Sequence, residues 1–368
     1  MLKQVRVKNY KCFKDLTFDL TAADYSFNRN LIKDGIVNKV LIYGKNGSGK
    51  SSLGFAIFDI VQHLTDKERF HSKFLEHYRN LNLDKQKVFF EYTFSFDLKE
   101  VVYSYEKTDA QNLVYEKLKV ENKILLNYHY DKAGEKIVDE SLRGNLDINL
   151  PDNKLSVLKY IYRNRPTGSS HVLNDLIQFC ENMLWFRSLS DGNGYCGLTN
   201  GNTTLDKMLF ESGKVIDFQI FLEKCGLQYD LDFEKEGDVP ILYAYFGNRK
   251  RKARFATIAS SGTKSLWLLF NWLTVGMNKL SLLLIDEFDA FYHYETAAGV
   301  VMELNGRRNF QSILTTHNTY LMQNKLTRPD CCFLITNDSI KSLKNSSERE
   351  LREAHNLEKL YINGAFAE

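Results

Sequence analysis

Val40-Leu41-Ile42-Tyr43-Gly44-Lys45-Asn46-Gly47-Ser48-Gly49-Lys50-Ser51-Ser52 is the stretch that sets the fold class. Val40–Tyr43 reads as a strand. From Ser51 to Leu64 the apolar residues Leu53, Ile57, Ile60, Val61 and Leu64 fall at helical spacing. Gly44–Ser51 fits GxxxxGK[ST], and a strand before it and a helix after it are the context a phosphate-binding loop requires. The glycines let backbone N–H groups converge on phosphate oxygens at a helix N-terminus. Gly44, Asn46, Gly47, Ser48, Gly49, Lys50, Ser51 and Ser52 are therefore candidate nucleotide-binding residues. Lys50 would neutralise the β- and γ-phosphates, and the Ser51 hydroxyl would ligate Mg²⁺. A plain Gly-rich turn is the competing reading, and the flanking strand and helix weigh against it.

Downstream, Leu282-Leu283-Leu284-Ile285-Asp286-Glu287 is a fully apolar run ending in two carboxylates. Such a strand belongs inside a parallel sheet, with its carboxyl end at the ligand crevice. Asp286 is the candidate Mg²⁺ ligand, acting through water, and Glu287 the candidate catalytic base that orients the attacking water. Alone the string is weak, since any buried strand can end in acids; the phosphate loop gives it weight. Ser260-Ser261-Gly262-Thr263-Lys264 opens a helix shortly before this strand, and Thr315-Thr316-His317 closes a short strand beyond it. A lone strand-end His is ordinarily structural. The order phosphate loop, Ser-Gly helix start, acidic strand, His-ending strand makes His317 a candidate catalytic residue.

That order resembles the ABC ATPases, in which the Ser-Gly turn of one subunit caps the γ-phosphate held by another. More narrowly, the chain resembles their SMC-like branch, and within it the stand-alone ABC/AAA ATPases of bacterial anti-phage and abortive-infection systems, the group that includes Septu, PARIS and the overcoming-lysogenisation-defect proteins. Val7-Lys8-Asn9-Tyr10-Lys11-Cys12-Phe13-Lys14-Asp15, Ser260–Lys264, Ile285–His293 and Thr315–Thr319 carry the likeness, which is close at the two ends of the chain and loose in the middle. It implies an α/β fold, an ABC-type P-loop ATPase core with ATP and Mg²⁺ as its ligands. It implies further that Ser261 and Gly262 complete a partner subunit's site in trans, that His317 touches the γ-phosphate, and that Tyr292-His293 lies in the loop crossing the dimer seam. The usual Leu-Ser-Gly-Gly-Gln string is altered here, with Ser260, Thr263 and Lys264 at its first, fourth and fifth places. The helix N-terminus, Ser261 and the charge of Lys264 still suit an anion. The family's Mg²⁺-sensing glutamine has no clear counterpart, since neither Gln86 nor Gln111 stands out.

Composition bounds the rest. Of 368 residues 43% are hydrophobic and 26% charged, the balance of a globular protein. A net charge of +3 is too small to mark a nucleic-acid binder by itself. The six cysteines form no CxxC pair and no zinc-ligand spacing, so a disulfide framework is not expected and a reducing cytoplasm fits. The N-terminus has no signal-peptide pattern. The most apolar stretch, Leu266–Ile285, is broken by Asn271, Thr274, Gly276, Asn278, Lys279 and Ser281, so it reads as a helix and a strand, with no membrane span.

Alternation at Val5–Val7 and Leu16–Leu20 predicts two strands, and Lys87–Leu126 predicts an antiparallel meander. The expected organisation is residues 1–130 as the N-terminal part of the core, 131–238 as a smaller inserted lobe, which includes the polar Asp191–Thr204 segment, and 239–368 as the C-terminal part. Ile241–Phe246 and Phe255–Ile258 are expected to pair as strands around Gly247-Asn248. Arg249-Lys250-Arg251-Lys252 with Arg254 is the one dense basic cluster, either a grip for nucleic-acid phosphates or a solvated hairpin tip. Ser347-Glu348-Arg349-Glu350 reads as a capping box for a helix with an apolar stripe of Leu351, Ala354, Leu357 and Tyr361. No appended nuclease domain is expected in the stretch after His317. The expected function is an ATP-hydrolysing conformational switch, a homodimer or higher homo-oligomer, that governs a separately encoded effector, a nuclease or toxin. The rivals are a DNA-repair ATPase that binds DNA in response to ATP, a nucleotide-stabilised scaffold with little turnover, and a P-loop kinase, in which the Ser-Gly turn and His317 have no task.

Overall fold

The computed structural model describes residues 1–67, 75–131, 135–148, 150, 152–165, 171–186, 195–197, 204–275 and 279–366; most of the Asp191–Thr204 segment lies outside them. Two seven-stranded sheets dominate. The first is antiparallel, in the spatial order Lys136–Val138, Lys123–His129, Leu113–Val120, Lys99–Lys107, Val88–Phe96, Leu2–Tyr10 and Phe13–Asp19. The second runs Tyr195–Gly197, Met183–Phe186, Leu282–Ile285, Gln311–Thr316, Lys39–Tyr43, Cys332–Ile335 and Ile340–Ser342. Its five inner strands are parallel, and the two outermost pair antiparallel to them.

The parallel strands are apolar throughout because both of their faces are covered. Val40, Ile42, Leu282 and Leu284 point into one core, shared with the antiparallel sheet and the helix Lys50–Leu64. Leu41, Tyr43, Leu283 and Ile285 point into a second core, filled from helices Ser261–Val275 and Tyr294–Asn305. The phosphate-loop helix and the Ser-Gly helix therefore pack on opposite faces of one sheet. The first of these helices is sandwiched between the two sheets. Twelve of its fifteen residues are buried, so it is apolar around most of its circumference. Among the described residues no helix is long and apolar enough to cross a membrane.

The α/β fold with N-terminal antiparallel strands is as the sequence indicates. Three local readings change. Met183–Phe186, assigned to an inserted lobe at 131–238, is an inner strand of the parallel sheet beside Leu282–Ile285. The helices Val157–Asn164 and His171–Glu181 supply Leu158, Ile161, Leu173 and Leu176 to the first core. Four apolar residues in a row cannot be assigned by periodicity, which is why this strand was missed. Next, Arg251–Arg254 is the strand that pairs with Val239–Phe246, while Phe255–Ile258 is a short helix. Arg249, Lys252 and Arg254 find their acidic partners on Asp230–Glu236, the strand on the far side of Val239–Phe246. Last, the Ser347 box opens no long helix: Leu357–Ile362 is the helical part, capped by Asn356, whose side chain accepts from the Lys359 N–H. Leu351 is buried in the second core from an irregular segment.

Candidate functional site

Strand ends bring the site together. Leu282–Ile285, Gln311–Thr316 and Lys39–Tyr43 are adjacent and parallel, so Asp286, Thr315–Thr316 and Gly44 leave the sheet side by side. Gly47 and Gly49 have φ of 78° and 97°. At Gly49 a side chain is doubly excluded, because a Cβ would also lie 2.8 Å from the Phe13 ring at the tip of the first hairpin. The helix then starts at Lys50, and its first-turn N–H groups have no helical acceptor. Lys50 Nζ donates to the carbonyls of Gly44 (2.8 Å) and Lys45 (3.1 Å), which places the ammonium inside the loop. Burial lowers its pKa, while Asp286 and Glu287 act the other way. Asn46 is exposed and Ser48 half-buried; the buried Ser48 Oγ has no hydrogen-bond partner. Ser52 is half-buried in the first helical turn.

Across the sheet, Ser51 Oγ donates to Asp286 Oδ2 at 2.5 Å, and Thr315 Oγ1 donates to Asp286 Oδ1 at 2.5 Å. Desolvation raises the Asp286 pKa, and these two hydrogen bonds oppose it. Glu287 has φ of 48°, and its N–H donates to Thr315 Oγ1 at 2.8 Å. Its carboxylate is half-exposed at the crevice, with Oε1 3.9 Å from Nε2 of His317. Thr316 Oγ1 donates to Asp289 Oδ2 (2.7 Å), closing the acidic turn from the other end. The loop, both acids and His317 thus form one cluster. A cavity of about 750 Å³ opens beside Gly44–Ser48, walled by Thr336, Asn337, Tyr361 and Phe366.

The donor set suits a hard divalent cation next to a polyphosphate: a hydroxyl and a carboxylate already in contact, an ammonium in the loop, and an orphaned Ser48 hydroxyl facing no protein acceptor. Residues 4–176 match the family model described as "AAA domain", and residues 198–323 match the one described as "AAA domain, putative AbiEii toxin, Type IV TA system". The chain has a mixed α/β fold of the P-loop ATPase kind, and each of these models covers less than half of it. No curated protein matches it. Among solved structures similar to this ATPase fold are the SMC head domain from Thermotoga maritima (13% identity, 93% of this chain and 98% of that one, TM-score 0.46). Two others are the SmcHead bound to the C-winged helix domain of ScpA (12%, 93% and 97%, 0.49) and the recombination mediator protein RecF of the RecFOR pathway (12%, 93% and 98%, 0.38).

Ser261 and Gly262 are not part of this cluster. Ser260 caps their helix, its Oγ accepting from the Thr263 N–H at 3.1 Å, and Ser261 is exposed. A Cβ on Gly262 would lie 2.8 Å from the Phe291 carbonyl, and Ser265 shares a 2.7 Å hydrogen bond with the Tyr292 hydroxyl. The ATPase fold thus ties the Ser-Gly turn to the loop that follows the acidic strand, where His293 is exposed. Gln86 and Gln111 are exposed turn residues of the antiparallel sheet region. Of the basic cluster, Arg249 pairs with Asp230 (2.6 Å) and Asp232 (3.1 Å), Lys252 with Glu234, and Arg254 with Glu236. The hairpin reading describes it: these three cations pair with carboxylates of Asp230–Glu236, on the far side of Val239–Phe246. Thr315 is the site residue that the motifs did not single out. A threonine two places before a strand-end histidine was the available signal.

Proposed function

We propose that this chain binds MgATP and hydrolyses it as one half of a homodimer whose closure and release control a separately encoded effector, a nuclease or toxin, in anti-phage defence. The Ser51–Asp286 contact at 2.5 Å, made across the parallel sheet, carries the ATPase reading, because it joins the loop that takes phosphate to the acid that takes metal. Mg²⁺ held by Ser51 and Asp286 would offset charge on the β- and γ-phosphate oxygens. Lys50 supplies the fixed positive charge of the loop, and Glu287, half-exposed at the crevice, accepts the proton of the attacking water. His317, beside Glu287, donates a hydrogen bond to the transferring phosphoryl group.

The dimer reading rests on the two helices. The phosphate-loop helix feeds the first core and the Ser-Gly helix the second, on opposite faces of the sheet, which supports a reading in which Ser261 does not serve its own Ser51. Ser261 and Gly262 therefore serve the loop of a second copy. The description attached to residues 198–323 names a toxin–antitoxin system, which supports the defence role. Complementation tests the scheme. Lys50→Ala removes the loop charge, and Ser261→Glu puts a carboxylate at an exposed helix start, where it is tolerated by the fold but repels a triphosphate. Each variant alone is expected to lose turnover, and the mixture to regain part of it. No recovery on mixing, with the unaltered chain monomeric under saturating ATP, overturns the dimer; normal biological activity in Glu287→Gln would make the chain a scaffold instead.

A further inference from the structure

The loop, the acids and His317 account for phosphate, metal and water, yet none of them explains what holds the two acids in different roles. Thr315 touches both. Its side chain is buried, with 1% of the residue exposed, at the carboxyl end of the strand that separates the acidic strand from the phosphate-loop strand. A hydroxyl has one proton to donate and lone pairs to accept with. Here the proton goes to Asp286 Oδ1 at 2.5 Å, and a lone pair receives the Glu287 N–H at 2.8 Å. With Oδ1 occupied, Asp286 presents Oδ2 to Ser51.

The second contact concerns the backbone. Glu287 has φ of 48°, a conformation that costs a non-glycine residue energy and persists only where its surroundings over-determine it. Three bonds do so: Glu287 N–H to Thr315 Oγ1, Phe288 N–H to the Thr315 carbonyl at 3.2 Å, and Thr316 Oγ1 to Asp289 at 2.7 Å. The left-handed turn sends the Glu287 side chain out to the crevice, whereas Asp286 stays buried.

We infer that Thr315 is a positioning residue for hydrolysis, its one hydroxyl orienting the metal-binding carboxylate of Asp286 and fixing the turn from which Glu287 reaches the water. This rests on the ATPase reading above, and the test separates the two. Thr315→Val keeps the shape and removes the hydroxyl; Thr315→Ser keeps the hydroxyl. Affinity for a non-hydrolysable ATP analogue is measured with and without Mg²⁺, together with kcat, KM and the thermal midpoint of the full chain. In Thr315→Val the Mg²⁺-free affinity is expected to stay within roughly twofold, while the gain that Mg²⁺ adds shrinks and kcat falls about tenfold to a hundredfold with KM little changed. Thr315→Ser is expected to restore both readouts to within about threefold of the unaltered chain. Unchanged kcat and Mg²⁺ gain in the valine variant overturn the inference, as does an equal loss in the serine variant or a loss that follows the thermal midpoint. If the unaltered chain turns over no ATP, the ATPase reading fails while the Mg²⁺ gain still reports on Thr315; an analogue affinity blind to Mg²⁺ in the unaltered chain overturns both.

Discussion

The phosphate-loop helix and the small sheet of residues 230–254 both pair acids with bases from separate elements, and they differ in how much water reaches them. Asp59, on the helix, accepts from the Tyr78 hydroxyl at 2.7 Å, the Tyr105 hydroxyl at 2.8 Å and Lys107 Nζ at 2.6 Å. The Asp59 and Lys107 side chains are each 2% exposed. One turn further on, His63 meets Tyr103 and Glu116, and Glu116 also accepts from Ser156 Oγ (2.8 Å) and the Val157 N–H (2.9 Å). In the small sheet, by contrast, Arg249 and Asp230 are 51% and 45% exposed. Water can replace a partner lost there, and it cannot at Asp59. The buried pairs fix where the phosphate-loop helix sits against the antiparallel sheet; the exposed pairs hold a hairpin that the site does not touch.

The largest effect expected from this difference is in Lys107→Met. It leaves the Asp59 carboxylate without its counter-charge in a dry core, a loss of about 3–5 kcal/mol in unfolding free energy. Denaturant titration by circular dichroism measures it. The double variant Asp59→Asn/Lys107→Met removes both charges and is expected to recover most of the loss, because an amide can still engage Tyr78 and Tyr105. A double variant as unstable as the single one would show that packing of the lysine stem, and not the charge, is what the helix depends on.

Acid sharpens the same contrast. The hydrogen bonds and charge of His63, with those of Tyr130 and Tyr103, outweigh desolvation and hold Glu116 down at about 2 against an ordinary 4.5. Its contribution is complete above pH 4.5 and is lost as the pH falls toward 2. Burial lowers the His63 pKa below its ordinary 6.5. The unfolded chain then takes up that proton first, so stability also declines as the pH drops through 6.5. Both signs agree. Carboxylates of the small sheet are shifted down as well, by Arg249 at Asp230 and by Lys252 at Glu234. Those contributions are screened by salt and the buried ones are not. Stability against pH, measured at low and at high salt, should show the decline below pH 6.5 persisting at high salt. A decline that salt abolishes would place its origin at the surface.

The same division explains what could be read in the sequence. Gly44–Ser51, Asp286-Glu287 and His317 are legible as candidates because their chemistry is local: a few neighbouring residues must leave a strand in a particular way, whatever else the chain does. Pairing across distance was not. Met183–Phe186 is four apolar residues whose place between two strands depends on Leu282–Ile285, about a hundred residues away in the chain. Phe255–Ile258 has strand-like composition, yet the second core takes Phe255 from a helical turn. Nor does any pattern announce that Lys107 will reach Asp59, since an acid inside an amphipathic-looking helix ordinarily marks its wet face. A trans role for Ser261 is what the likeness alone implies; the fold adds that its helix packs on the other face of the sheet from the phosphate-loop helix.

The smallest effect is expected at the hairpin. Arg249 stacks over the Tyr245 ring at 4.8 Å, and the Arg249 and Arg254 side chains are 51% and 52% exposed, so removing them uncovers little that water does not already reach. Arg249→Ala with Arg254→Ala should move the unfolding midpoint by a small fraction of the Lys107→Met shift at physiological salt, and leave nucleotide affinity and turnover unchanged. Because Arg249 and Arg254 are already paired with Asp230, Asp232 and Glu236, the variant should also keep whatever weak affinity the chain has for single- or double-stranded DNA. A steep loss of DNA binding, with a salt slope reduced by one or two released counterions, would mean that the carboxylates yield these cations to phosphate. The hairpin would then be a gated contact whose acids compete with the ligand, and the exposed network would share in function with the buried one.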